Sequence, residues 1–216
     1  DAKGQQKLSE SLSFLGHIED ISPIPGYNLQ TTLDLNLQQA AYEAFKRNKR
    51  NGVLIALNKE GEVLALVNYP SYDPNLFSKG INQKDWSKLV NNPLKPLRNR
   101  AIQDHHSPGS TFKPLVALAS LQTKRIRENT LVYAPSTLRF GRRTYHDHTR
   151  SGQGYITVAQ AIEMSSNVFF YKQGIELGVD NMALYAKALG IGQKTGIDLH
   201  GEVPGLMPTS QWKKER

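Results

Sequence analysis

The sequence contains no cysteine, which excludes a disulfide framework, a thiolate nucleophile and a cysteine-ligated zinc site. No apolar run approaches the ~18 residues of a membrane span, and no signal-peptide pattern opens the chain. Acidic residues are in deficit: 27 Lys and Arg against 19 Asp and Glu give a net charge of +8. Such a balance favours acidic partners, whether nucleic acid, an anionic membrane surface or a carboxylate-rich substrate. The densest basic groups, Lys46-Arg47-Asn48-Lys49-Arg50 and Lys213-Lys214-Glu215-Arg216, read as solvated helix ends. No nucleic-acid-binding motif accompanies them, so no nucleic-acid partner is expected. With 38% hydrophobic and 21% charged residues, the 216 residues suit one sizeable globular domain, or one domain plus part of another.

What is present is a patterned chain punctuated by proline and glycine. Residues 1 to about 26 are polar and end in Ile21-Ser22-Pro23-Ile24-Pro25-Gly26, the composition of a linker or domain boundary. Asn28 to Leu33 alternates like a strand. Asp34 is an N-cap candidate for a helix whose Leu37, Ala40, Ala41, Ala44 and Phe45 follow the helical period. Val53–Leu57 and Glu62–Val67, on either side of Asn58-Lys59-Glu60-Gly61, predict a β-hairpin. Their near-continuous apolar character predicts a sheet covered by helices on both faces. A helix followed by a hairpin points to an α+β layer architecture. Asn68 to His106 reads as a long irregular connection, of the kind that carries function or moves. Further helices are predicted from Val158 to Met164 behind a Thr157 cap, from Val168 to a stop at Gly178, and from Asp180 to Leu189 before Gly190.

The chemistry is concentrated in Ser107-Pro108-Gly109-Ser110-Thr111-Phe112-Lys113-Pro114. Pro108-Gly109 is a turn, and Ser110 opens a helix that continues through Leu115, Val116 and Ala117. Serine and lysine three apart share a helix face, so the amine is expected to reach the hydroxyl. A serine is a weak nucleophile until a base lies beside it. The helix start adds N–H groups that favour an oxyanion. Taken alone, Ser-x-x-Lys is also the pattern of many solvated helix starts.

Ser165-Ser166-Asn167 is the second candidate. Its residues can simply cap a helix, or Ser165 and Asn167 can face a cleft, relaying a proton and hydrogen-bonding a substrate amide. Lys194-Thr195-Gly196 completes, on paper, a Ser-x-x-Lys, Ser-x-Asn, Lys-Thr-Gly set, but glycines on both sides of it predict a surface loop. His105-His106 and His146-Asp147-His148 are too few and too loosely patterned for a metal site, which needs three or four ligands of defined geometry.

Together these residues resemble the class B penicillin-binding proteins, and within them the elongation-specific penicillin-binding protein 2 branch. The similarity covers nearly the whole chain. It runs through the hairpin, Pro70-Ser71-Tyr72-Asp73-Pro74-Asn75-Leu76-Phe77, Asn99-Arg100-Ala101-Ile102-Gln103, the Ser110 segment, Ser165-Ser166-Asn167-Val168-Phe169-Phe170-Tyr171 and Lys194-Thr195-Gly196-Ile197-Asp198-Leu199. It implies the N-terminal part of the penicillin-binding/serine β-lactamase-like transpeptidase fold, an α+β fold with an antiparallel sheet flanked by helices. Residues 1–26 would be the end of a pedestal domain and its linker, and residues 27–216 the start of the transpeptidase domain.

By this resemblance Ser110 is the acyl-enzyme nucleophile, Lys113 its general base, Ser165 a proton relay and Asn167 a hydrogen-bonding partner of the substrate. The implied reaction cross-links peptidoglycan stem peptides during cell elongation, with β-lactams acylating the same serine and no cofactor taking part. The implied partners are stem peptides, β-lactams, a membrane glycosyltransferase and a rod-shape scaffold protein. The implied location is the bacterial inner membrane, with the catalytic domain in the periplasm. Lys194 would be a decoy, the family's catalytic Lys-Thr-Gly lying downstream of Arg216, which would leave the chain incomplete for activity. Some relatives carry zinc near the second motif. Here Asp147 is kept, but Gln153 and Ser166 stand at the aligned histidine and cysteine positions, so no metal is expected. A serine β-lactamase, a β-lactam sensor and an inactive interaction fragment remain the alternatives.

Overall fold

The computed structural model describes residues 26–78 and 80–216. The expected pedestal segment, residues 1–26, lies outside the described residues except for Gly26.

Helix α1 (Leu35–Arg47) begins at Asp34, whose carboxylate accepts the Leu37 N–H at 2.9 Å. Its inward side runs through Gln38, Ala41, Ala44 and Phe45, while Leu37 and Ala40 are exposed. Gln38 explains the rotation. Its amide pairs with the outer edge of the hairpin, donating to Leu66 O at 2.9 Å and accepting from Leu66 N at 2.8 Å.

The hairpin, β1 (Gly52–Leu57) and β2 (Val63–Tyr69), pairs antiparallel from Gly52↔Tyr69 to Leu57↔Val63. The predicted strand from Asn28 to Leu33 does not form. The approaching segment meets the β2 edge only where the Thr32 hydroxyl donates to Val63 O and Asp34 N to Leu64 O, at 2.7 and 2.8 Å. Beyond them Gln38 occupies the edge, leaving no ladder to extend.

One face of the hairpin buries Ala65 and Val67 beside α1. The expectation of full cover fails on the other face, where Ile55 and Leu57 are 47% and 58% exposed. The single-turn α4 (Arg100–Gln103) lies on that side, its Ala101 and Ile102 lining a cavity with Ile55 and Leu57. The connection read as irregular holds that turn and two more short helices, α2 (Asn75–Ser78) and α3 (Gln83–Val90). Asn82 and Asn99 cap α3 and α4.

Helix α5 (Lys113–Gln122) runs through the core, burying Leu115, Val116, Ala117 and Ala119. Around it lie α6 (Val158–Glu163), α7 (Asn167–Leu177) and α8 (Val179–Ala188). Thr157 and Gln160 form a reciprocal capping box at the start of α6, and Gly178 at φ +75° ends α7. Two short ribbons complete the site's surroundings: β3 (Val132–Ala134) with β6 (Gly154–Ile156), and β4 (Thr137–Phe140) with β5 (Arg143–His146). A last helix, α9 (Ser210–Lys214), was not marked by any apolar period. The fold is α+β, with its strands in antiparallel pairs.

Candidate active site

Ser110 sits in a 3-10 turn, Gly109–Phe112, that leads straight into α5 at Lys113. Gly109 enters it at φ +58°, a backbone setting that glycine adopts without strain. Pro114 in the first turn of α5 gives up no needed N–H.

The expected direct contact between amine and hydroxyl is replaced by an indirect one. Lys113 Nζ hydrogen-bonds Ser165 O at 2.5 Å, Asn167 Oδ1 at 2.8 Å and Ser165 Oγ at 3.0 Å. Ser165 Oγ in turn lies 3.2 Å from Ser110 Oγ. Three oxygens of the second motif thus draw the amine across the site, and Ser165 bridges it to the serine. The four residues singled out from sequence, Ser110, Lys113, Ser165 and Asn167, form one hydrogen-bonded chain.

The second motif caps a helix and also meets the first motif. Ser166 is buried and caps α7, accepting the Phe169 N–H at 3.3 Å. Its neighbours Ser165 and Asn167 face Lys113. Ser165 adopts φ +52°, an uncommon left-handed setting for a residue other than glycine. Such local strain persists only where its surroundings hold it.

Burial pulls the Lys113 amine below the ordinary lysine value, with the negative charge of Asp147 opposing in part. Burial pushes the Asp147 carboxyl up, but hydrogen bonds from Val168 N–H, the Ser166 hydroxyl and His148 N–H outweigh it. They hold the group below the usual carboxylate value.

Ser110, Lys113 and Asn167 open onto an apolar cavity of about 700 Å³, whose walls include Leu138, Phe140, Tyr145 and Tyr171. Tyr145 and Tyr171 pack with ring centroids 5.4 Å apart. From the sequence alone the basic, aromatic stretch from Arg139 to Tyr145 has no assigned role. The signal was there: Phe140-Gly141-Arg142 is a hairpin turn, with Gly141 at φ +59°.

Lys194-Thr195-Gly196 lies elsewhere. Glu202 closes it as a loop, accepting from Thr195 N at 2.7 Å, Thr195 Oγ1 at 2.6 Å and Gly196 N at 3.2 Å. Thr195 and Gly196 line a separate cavity with Ile55, Leu57 and Ile102.

The residues near Asp147 do not suit zinc. Both of its carboxylate oxygens accept protein hydrogen bonds. The hydroxyl of Ser166 and the amide of Gln153 are poor substitutes for thiolate and imidazole. Among the described residues no group of three or more His, Cys, Asp or Glu side chains could hold a metal ion. Of the other histidines, His105 Nε2 lies 2.8 Å from Pro204 O.

Residues 52–216 match the penicillin binding protein transpeptidase domain family. The chain is 40% identical over 201 residues to peptidoglycan D,D-transpeptidase MrdA of Escherichia coli K12, covering 92% of this chain and 32% of that protein. The structure of Pseudomonas aeruginosa PBP2 in complex with WCK 5153 superposes with a TM-score of 0.81 at 36% identity, covering 89% of this chain and 44% of that one. A Helicobacter pylori complex between PBP2 and MreC gives 0.79 at 36% identity, over 85% of this chain and 34% of that one. The chain belongs to the penicillin-binding protein transpeptidase family. It spans about a third of the length of the curated relatives it matches.

Proposed function

We propose that this chain carries the acylation centre of a serine-type peptidoglycan D,D-transpeptidase of the elongation machinery. The supporting observation is the chain Ser110–Ser165–Lys113, with steps of 3.2 and 3.0 Å and an amine whose proton affinity burial lowers. A neutral amine has two N–H bonds and one lone pair. Ser165 O and Asn167 Oδ1 accept the two N–H groups, which leaves the lone pair for the Ser165 hydroxyl. That hydroxyl then donates to Lys113 and accepts from Ser110. Protonating the amine reverses the order, because all three N–H groups then seek oxygen and Ser165 donates toward Ser110 instead.

With Lys113 neutral, Ser110 Oγ attacks the penultimate D-Ala carbonyl carbon of a stem peptide. Its proton passes to Ser165 Oγ as the Ser165 proton passes to Lys113 Nζ. The Ser110 backbone N–H is suited to stabilise the developing oxyanion. Collapse of the tetrahedral species breaks the peptide bond, and the relay returns a proton to the departing D-Ala amine. A second stem's amine then attacks the Ser110 ester, forming the cross-link and freeing the serine. β-Lactams enter the same first step. Asn167 hydrogen-bonds the donor peptide through its side-chain amide.

We further infer a membrane-anchored periplasmic setting, with a rod-shape scaffold protein and a membrane glycosyltransferase as partners. The PBP2–MreC complex of the Helicobacter pylori relative supports the first of these partners.

Intact mass spectrometry with penicillin tests the reading, using the protein at the length of its curated relatives. The expected result is one adduct of the full penicillin mass on Ser110, stable over the measurement and absent in Ser110→Ala. An adduct on another residue overturns the nucleophile assignment. Rapid loss of the adduct with release of hydrolysed penicillin supports a β-lactamase instead.

A further inference from the structure

Asp147 lies just beyond β5 and takes no part in the proton relay, yet its side chain is fully buried. Its Oδ2 accepts the Ser166 hydroxyl at 3.0 Å and the Val168 N–H at 2.9 Å. Its Oδ1 accepts the His148 N–H at 2.8 Å and faces His148 Nδ1 at 2.9 Å. Its own N–H donates to Ser136 O at 2.8 Å, which fixes it to the loop between β3 and β4. A parallel strut lies alongside, where Asn167 Nδ2 donates to His146 O at 3.4 Å.

The two residues held by Oδ2 flank Asn167, and one of them follows Ser165 directly. A single carboxylate oxygen therefore grips the backbone and side chain on either side of the two groups that position Lys113. Ser165 keeps its left-handed backbone within this grip. The negative charge also faces the N-terminus of the eleven-residue α7, where an anion is favoured.

We propose that Asp147 is a positioning residue of the acylation centre: a hydrogen-bonded brace that holds Ser165 and Asn167 at Lys113 without a metal ion. The inference rests on the transpeptidase reading only for its kinetic readout.

The test compares the wild type with Asp147→Ala, Asp147→Asn and Ser166→Ala at the length of the curated relatives. Stopped-flow labelling with a fluorescent penicillin separates the limiting acylation rate from the initial binding constant. Asp147→Ala is expected to lower the limiting rate about 100-fold, the scale of a misplacement near 1 Å, while binding changes by less than about threefold. Asp147→Asn keeps one carbonyl oxygen as acceptor and should recover at least about tenfold of that loss, with Ser166→Ala milder than Asp147→Ala.

A merely structural role predicts a smaller labelled fraction with an unchanged limiting rate, and that result overturns the proposal. Amide hydrogen exchange gives a readout independent of acylation. In Asp147→Asn and Ser166→Ala the amides of residues 165–168 should exchange about tenfold faster while those of α5 stay unchanged. Unchanged exchange at 165–168, or equal acceleration in α5, likewise overturns it. Failure of the wild type to acylate would count against the transpeptidase reading, and the exchange data would still decide the brace.

Discussion

At the scale of single residues, the decisive quantity is the charge on Lys113. Its amine is held below the ordinary lysine value by burial, against the opposing pull of Asp147. In the proposed mechanism the neutral form is the base, so the acylation rate should rise with pH through the Lys113 pKa, and that rise should lie below the 10.5 of a solvated lysine. Lys113→Arg retains a cation and hydrogen-bond donors but cannot release its proton in the working range. It should lose both the rise and about 10²–10⁴-fold of the rate, the usual contribution of a general base. Lys113→Ala should be as slow. A pH–rate profile of penicillin acylation for the three proteins checks this, and an unchanged rise in Lys113→Arg would assign it to another group.

At the scale of elements, the setting of a three-residue pattern decides what its donors can reach. Lys194-Thr195-Gly196 has the composition of a catalytic strand, but its Thr and Gly donors are turned onto Glu202. Those bonds hold the Glu202 carboxyl below its usual value, led by the Thr195 hydroxyl. Lys194→Ala should therefore leave the acylation rate within about twofold of wild type, a typical surface substitution. A loss as large as that of Lys113→Ala would place Lys194 in the site.

The glycines around that loop made its surface character legible in the sequence, as did the caps at Asp34 and Thr157 and the hairpin from Gly52 to Tyr69. These signals are local, set by backbone stereochemistry and short-range pairing. Illegible features depend on pairings far apart in the chain. Gln38 reads as a solvated polar residue until its amide meets Leu66, and Lys113 reads as a direct partner of Ser110 until Ser165, 52 positions later, takes the amine. The residue types of the site were therefore readable, but the placement of Ser165 between Lys113 and Ser110 was not.

At the scale of the whole molecule, the site is a junction between elements that one apolar cluster holds in register. Phe169, fully buried one turn inside α7, shares this cluster with Val116 and Ala117 of α5 and with Leu177 at the far end of α7. Ser110 and Lys113 ride on the start of α5, while Ser165 and Asn167 sit at the start of α7. The 3.2 Å step between Ser110 and Ser165 thus depends on the packing between the two helix beginnings. Phe169→Ala should cost about 3–5 kcal/mol and Leu177→Ala about 2–5 kcal/mol, the range for emptying a core site. Denaturant midpoints measure both losses. The two variants should part in function, because the Phe169 cavity opens beside the relay and the Leu177 cavity opens at the opposite end of α7. Acylation per folded molecule should fall at least about tenfold in Phe169→Ala and stay within about threefold in Leu177→Ala, consistent with the steep distance dependence of a positioned reaction. Equal losses per folded molecule would mean that the core supports the site only through global stability, and that packing at the head of α7 has no separate hold on the relay.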